Sequence, residues 1–403
     1  MFDVRSYLAK LIKSLPAIPD EVERPVIVRK IPAKTPPKTS KEKRIKISRR
    51  EKEALNLVLE KYESNPIISP RKEIAWDAWQ TFNPGAVILG DKIHFLYRAI
   101  GNDGLSRLGY ATSLDGRDID ERPPYPAYEH PLVAGKFNRY SFASGGGWGG
   151  CEDPRAVYLE DDKRIYMTYT ACDDGLRVAI TSISIKDFLA KKWNWKQPSL
   201  ISPPGEIHKN WVIFPRKIGG KYAILHSIAP EIQIEYLNSL DFDDDAHINS
   251  SYKKEHRKDV WDSWLRGAGP PPIETKYGWL LFYHATDEKD PAKYKIGAML
   301  LDKNNPTKIL AKSNVPVLEP DEYYENNGYK AGVVYASGAV VKGDTLFLYY
   351  GAADNYTCVT SANLDDFIRA LKKHKKPKMQ KRILRKKKKL KNKNLAFGEN
   401  LEK

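Results

Sequence analysis

From Trp76 onward one outline recurs five times, and this repeat limits the possible folds more than any other feature. Each copy is an apolar strand, a tight polar turn and a second apolar strand. The copies are Asn83–Arg98, Asp153–Ala171, Phe214–His226, Pro272–His284 and Gly338–Gly351. Their turns fall at Gly90-Asp91, Asp161-Asp162-Lys163, Gly219-Gly220-Lys221, Tyr277-Gly278 and Gly343-Asp344. A weaker third strand follows each one: Arg107–Ser113, Val178–Ile183, Ile232–Tyr236, Ile296–Leu301 and Cys358–Ala362. The copies start about 57 to 70 residues apart. Such a unit cannot bury its own apolar surface and is stable only against its neighbours. Five of them predict an all-β fold, a five-bladed β-propeller. No helix-length amphipathic segment separates the copies, which disfavours a parallel α/β sheet. In a propeller the first strand of each blade lines the central channel. Polar residues at strand entries, such as Asn83, Asp153 and Lys209, would then converge on one funnel.

The densest chemistry is Gly149-Gly150-Cys151-Glu152-Asp153-Pro154-Arg155, directly before the apolar strand Ala156–Leu159. The glycines allow close backbone approach, and Pro154 biases Asp153 toward an extended conformation. A carboxylate at a strand mouth beside a guanidinium suits an acid or base. It equally suits a turn braced by a local Asp–Arg pair.

The ends are different. Residues 369–403 carry 16 Lys/Arg against 2 Asp/Glu, and residues 1–75 carry 18 against 10. Of the net +16, therefore, +14 and +8 belong to the ends and the body is −6. Such a body has no nucleic-acid footprint, whereas the lysine run from Lys375 could touch nucleic acid or an anionic surface. Three segments are read: 1–75, an N-terminal helical and linker extension; 76–368, the propeller; and 369–403, a lysine-rich disordered tail. Within the first, residues 1–20 read as an amphipathic helix able to pack on a second copy or lie on a membrane. Residues 24–40 read as a proline-rich arm and 41–63 as a further helix. Residues 365–374 read as a closing helix. Three cysteines without metal-site spacing point to free thiols in a reducing cytoplasm. No apolar run approaches the ~20 residues of a membrane span.

The motifs Asn83-Pro84-Gly85-Ala86, Leu96-Tyr97-Arg98-Ala99, Arg107–Ala111, Gly150–Arg155, Gly267–Thr275, Gly278–His284 and Tyr349–Asp354 together resemble glycoside hydrolase family 130, the β-mannoside phosphorylases. The likeness covers roughly Trp76 to Phe367. It implies a five-bladed propeller and inverting phosphorolysis of β-mannosides to α-mannose 1-phosphate. It implies no cofactor or metal, only inorganic phosphate as co-substrate beside a mannose-containing oligosaccharide. By position Asp153 would be the proton donor, acting through the sugar's 3-hydroxyl. Asn83, Arg98 and Asp354 would hold the mannose ring, and Arg107, Lys209 and His284 the phosphate. One departure stands out. Many family members have His-Arg-Pro after the third hairpin, whereas this chain has His226-Ser227-Ile228-Ala229-Pro230. Ser227 then replaces a phosphate-binding arginine. This leaves open an inverting hydrolase on the same scaffold, with Glu231 as candidate base. A non-catalytic glycan-binding propeller is the third reading.

Overall fold

The structure is a computed structural model, and it describes residues 57–131, 144–172, 175–243, 245–250 and 256–374. The expected helix at 1–20, the arm at 24–40 and the lysine-rich tail from residue 375 lie outside these residues, whereas 369–373 belong to a helix. The described residues are mainly strand. Strand β1 (Glu60–Lys61) pairs with the last strand of the fold. A first sheet holds β2 (Gln80–Leu89), β3 (Lys92–Ile100) and β4 (Leu105–Ser113). A second holds β5 (Gly149–Leu159), β6 (Arg164–Cys172), β7 (Arg177–Ser184) and β8 (Ser199–Leu200). A short parallel pairing of β4 with β5 links these two. The third holds β9 (Val212–Ile213), β10 (Tyr222–Ser227) and β11 (Gln233–Leu237). The fourth holds β12 (Trp264–Ala268), β13 (Ile273–Thr275), β14 (Gly278–Asp287), β15 (Asp290–Leu301) and β16 (Ile309–Lys312). The fifth holds β17 (Val334–Lys342), β18 (Thr345–Ala352) and β19 (Tyr356–Asn363), with β1 on its outer edge.

These strands are apolar without alternation because both faces of each sheet are buried. Successive side chains point to opposite neighbours. Phe95 and Tyr97 pack toward the fifth sheet with Phe347 and Tyr349, while Leu96 packs toward the second with Met167. Likewise Trp279 and Leu281 meet the third sheet, and Leu280 and Phe282 the fifth. Val157 and Leu159 meet Ile213 and Ile224 between the second and third. Each sheet thus packs on the next, and the fifth packs on the first. That succession is compatible with a five-bladed propeller. The inner strands come closest at glycines. A β-carbon on Gly85 would lie 2.8 Å from the Pro154 carbonyl oxygen, and one on Gly338 would lie 2.5 Å from that of Pro84.

Two expectations change. Residues 57–63 are not helical: Leu57 and Leu59 are buried, Val58 is exposed, and β1 follows. Their period is two, so they edge the fifth sheet, and Ile68 bridges Thr357. The body therefore begins before the boundary expected at residue 76. In the fourth copy the inner strand is split between β12 and β13 by Gly269-Pro270-Pro271-Pro272, since proline has no N–H for the ladder. The closing helix is present at Leu364–Lys373, capped by Asn363 and burying Phe367, Ile368 and Leu371. No helix among the described residues is long and apolar enough to cross a membrane.

Candidate active site

One local device recurs where the inner strands approach each other. The pairing register slips between Phe82 and Gly85, between Glu152 and Arg155, between Leu265 and Gly267, and between Ala336 and Gly338. Such bulges re-aim a side chain out of the pleat. Asn83 and Asp153 sit in two of them with φ of 46° and 50°, and Asn210, just before β9, has φ 66°. Asp354, in the turn after β18, has φ 49°. Asn and Asp tolerate this left-handed region better than other residues with a β-carbon. The following Pro84 and Pro154 have no N–H to restore the ladder. The side chains of Asn83, Asp153, Asn210 and Asp354 consequently share one cavity of about 350 Å³.

Asp153 is 4 % exposed. Its Oδ1 accepts from Asn83 Nδ2 at 2.7 Å and from Arg98 Nη1 at 3.3 Å. Burial alone would raise its pKa. The charges of Arg98, Lys209 and Arg155, with the Asn83 hydrogen bond, outweigh burial and hold the carboxyl below the usual range. Asp354 goes the other way. Burial pushes it up, and its nearest ion-pair partner, Lys330 Nζ, is 3.6 Å away. Two carboxylates in one cavity with opposed shifts are the pattern of an acid–base site.

Beneath them lies a charge cluster in which Arg98 and Glu152 are buried and Lys209 is half-buried at the cavity wall. Arg98 stacks on Phe82 and donates to Ser106 Oγ, Ser144 O, Gly146 O and Glu152 Oε1 as well as Asp153. Glu152 also accepts from Lys209 Nζ at 2.7 Å and Ser144 Oγ at 2.8 Å. Burial would lower the pKa of Lys209, but Glu152 and Asp153 raise it overall. Arg155 spans the middle of the molecule. It donates to Gly269 O, Asn210 Oδ1 and the Tyr335 hydroxyl, joining the second sheet to the three after it.

The expected residues divide accordingly. Asn83, Asp153, Lys209, Asp354 and Ser227 line the cavity. Arg98 is 1 % exposed and lies behind Asp153, so it braces the site rather than facing it. Arg107 is elsewhere: on the third strand of its sheet, it forks onto Asp103 at 2.7 and 3.0 Å and reaches Glu129 at 2.8 Å. His284 is buried on β14, stacked on Tyr335 at 3.9 Å, with Nε2 accepting from Ala336 N–H. Burial, and then the charge of Arg155, push its pKa down to about 3, so it is a neutral support. Glu231 is exposed and does not line the cavity. The Ser227 hydroxyl is engaged in its own turn, donating to Ala229 O. Lining residues that the sequence did not single out include Asn210, Arg266, Lys330 and Tyr335. Arg266 and Asn210 each stand one residue from a position that was singled out. Lys330 had no signal beyond a loop before the fifth copy.

Comparison with known proteins gives the family. The family described as beta-1,4-mannooligosaccharide phosphorylase, glycoside hydrolase family 130, matches residues 48–373. A 1,2-beta-oligomannan phosphorylase of Thermoanaerobacter sp. is 32% identical over 319 residues, covering 76% of this chain and 98% of that protein. A beta-1,4-mannooligosaccharide phosphorylase of Ruminococcus albus is 30% identical over 335 residues, covering 79% and 92%. The beta-1,2-mannobiose phosphorylase of Listeria innocua, solved with beta-1,2-mannobiose, shares the fold with TM-score 0.62 at 24% identity, covering 78% of this chain and 99% of that one. With a family match across most of its length and a cavity built around the Asp of Glu-Asp-Pro-Arg, the chain belongs to glycoside hydrolase family 130.

Proposed function

We propose that this protein is an inverting phosphorylase that cleaves β-mannosides with inorganic phosphate to give α-mannose 1-phosphate. Its scaffold is read as a five-bladed propeller. The observation that carries the reading is the cavity's cast: two carboxylates, Asp153 and Asp354, face Lys209, Arg266 and Lys330 across one space. Hydrolysis with inversion ordinarily needs a second carboxylate to activate water. Phosphate is already anionic and needs only to be held in line by positive charge and hydrogen-bond donors. The three cations, with Asn210 and Tyr335, supply these, whereas Arg107 and His284 do not line the cavity. Asn83 and Asp354 remain the groups for the mannose hydroxyls.

The step balances without an external acid. Hydrogen phosphate attacks C1, the C1–O bond breaks with its electron pair on oxygen, and one proton must reach that oxygen. With the charges of Arg98, Lys209 and Arg155 around it, Asp153 is held ionised. Phosphate entering beside Lys209 as dihydrogen phosphate brings negative charge that offsets the cations and raises the Asp153 pKa. The carboxyl takes one proton from it, which leaves hydrogen phosphate as the nucleophile, and then donates that proton to the leaving oxygen. A cytoplasmic setting belongs to the same reading, supported by the buried free thiols Cys151, Cys172 and Cys358. The test is incubation with β-1,2- and β-1,4-mannobiose, with and without phosphate. Saturable, phosphate-dependent release of α-mannose 1-phosphate is expected. Equal cleavage without phosphate, giving free mannose, would replace phosphorolysis by hydrolysis.

A further inference from the structure

Next to the cavity the surface carries two large exposed indoles. Trp148 is 62 % exposed and Trp79 is 46 % exposed. Together with Ala78, Gly101, Asn102 and Gly104 they form a groove of about 290 Å³. One edge of the Trp148 ring packs against Gly104, since a β-carbon there would come 2.2 Å from its Cδ1 and Nε1, and the Trp148 backbone N–H donates to Gly104 O at 2.8 Å. That edge is held in place, and the ring stays largely in solvent. Trp79 is braced edge-on by Tyr329, with centroids 5.5 Å apart at 87°.

Two chain segments join this groove to the cavity. Ser144, a cavity residue, leads through Gly145, Gly146 and Gly147 to Trp148, and Arg98 holds the carbonyls of Ser144 and Gly146. On the other side Lys330 lines the cavity and its neighbour Tyr329 braces Trp79, 3.6 Å from where a Gly146 β-carbon would stand. Resting on the mannoside reading above, we infer that Trp148 and Trp79 form a second saccharide platform. It takes the distal mannosyl units of an oligosaccharide whose terminal unit is in the cavity. A pyranose has an apolar C–H face that stacks on an aromatic ring and hydroxyls at its edge for a polar partner, here Asn102. Two supported, exposed indoles beside a sugar cavity match that chemistry, and aromatic anchors of this kind dominate recognition energetics.

The experiment measures kcat and KM for phosphorolysis of the β-1,2- and β-1,4-linked mannobioses and mannotetraoses by the wild type, Trp148→Ala, Trp79→Ala and Trp148→Tyr. With the tetraose, either alanine variant should lose about tenfold in kcat/KM, mostly through KM. With the biose it should stay within about twofold, and Trp148→Tyr should recover most of the loss because it keeps a stacking face. Equal losses at both lengths, or none at either, would overturn the platform while leaving the phosphorylase assignment standing. Failure of the wild type to cleave any mannoside would overturn the functional reading itself, and the platform with it.

Discussion

Asp153→Asn is the substitution that isolates the proposed proton transfer. The backbone at 153 has φ 50°, which asparagine adopts about as readily as aspartate, whereas alanine would add roughly 1–2 kcal/mol of strain. The amide oxygen can still accept from Asn83 at 2.7 Å and from Arg98 at 3.3 Å. Arg98 also keeps Glu152 at 3.1 Å, so no buried guanidinium is stranded. Removing a buried carboxylate costs one ion-pair contact but relieves its desolvation, and the melting temperature should move by only a few degrees. Turnover is another matter. General-acid catalysis is worth about 10²–10⁴-fold, or about 2.7–5.4 kcal/mol of barrier. The assay compares mannobiose with a nitrophenyl β-mannoside, whose leaving oxygen departs without a proton. The variant should lose about two to four decades on mannobiose and less than about one decade on the aryl mannoside. Near-normal rates on mannobiose would place the acid elsewhere. Equal losses on both substrates would show that Asp153 positions the sugar and does not protonate it.

Other outcomes follow from the same geometry. Lys209→Met should raise the KM for phosphate by about one to two decades and leave mannoside binding largely intact, measured by initial rates with each substrate varied. It should also lower the melting temperature, because Glu152 loses its 2.7 Å partner. Ser227→Arg adds a guanidinium to the cavity wall and should tighten phosphate by about tenfold; an unchanged KM would mean the new side chain turns outward. Three histidines give a pH signature. Burial is the first cause that pushes His94 and His226 down to about 4 and His284 to about 3. Unfolded histidine titrates near 6.5, so below that pH the unfolded chain binds more protons than the folded one. Their contribution is complete above pH 6.5 and is lost as pH falls toward 4. Its slope is about 1.4 kcal/mol per pH unit for each histidine. Urea melts at pH 7 and pH 5 should show this loss, and His94→Gln should make the slope shallower by about one proton; a flat profile would contradict the burial argument.

The five copies were readable because the inner and middle strands are buried on both sides, which leaves runs such as Trp279-Leu280-Leu281-Phe282 of β14 instead of an alternating pattern. Asn83 and Asp153 were readable because Asn-Pro-Gly and Asp-Pro-Arg announce a break in the ladder, which the structure places inside β2 and β5. Position in a motif said less about direction. Arg107 and His284 stand in quoted motifs, yet one is on a third strand and the other on a middle strand, behind Tyr335. A bulge shifts register by one residue and reverses which side chains face inward. That is why Arg266, one residue before Gly267, faces the cavity unannounced. The role of Glu152 depends on Arg98, Ser144 and Lys209 meeting in space, and no local spacing encodes it. Residues 57–61 are not helical, although their few apolar positions also fit a helix.

The strand that edges the fifth sheet has a consequence for synthesis. Glu60 O receives its hydrogen bond from Thr360, 300 residues later in the chain. On a ribosome adding about 5–20 residues per second, β1 would leave the exit tunnel roughly 15–60 s before its partner exists. Through that interval Leu57 and Leu59 have no fifth-sheet core to enter, and four sheets' worth of apolar edge waits beside them. The nascent chain should therefore be a stronger client for chaperones than the finished protein. A stop codon just before Tyr356 should leave a product that is captured and degraded, even though every cavity residue named above would already have been made.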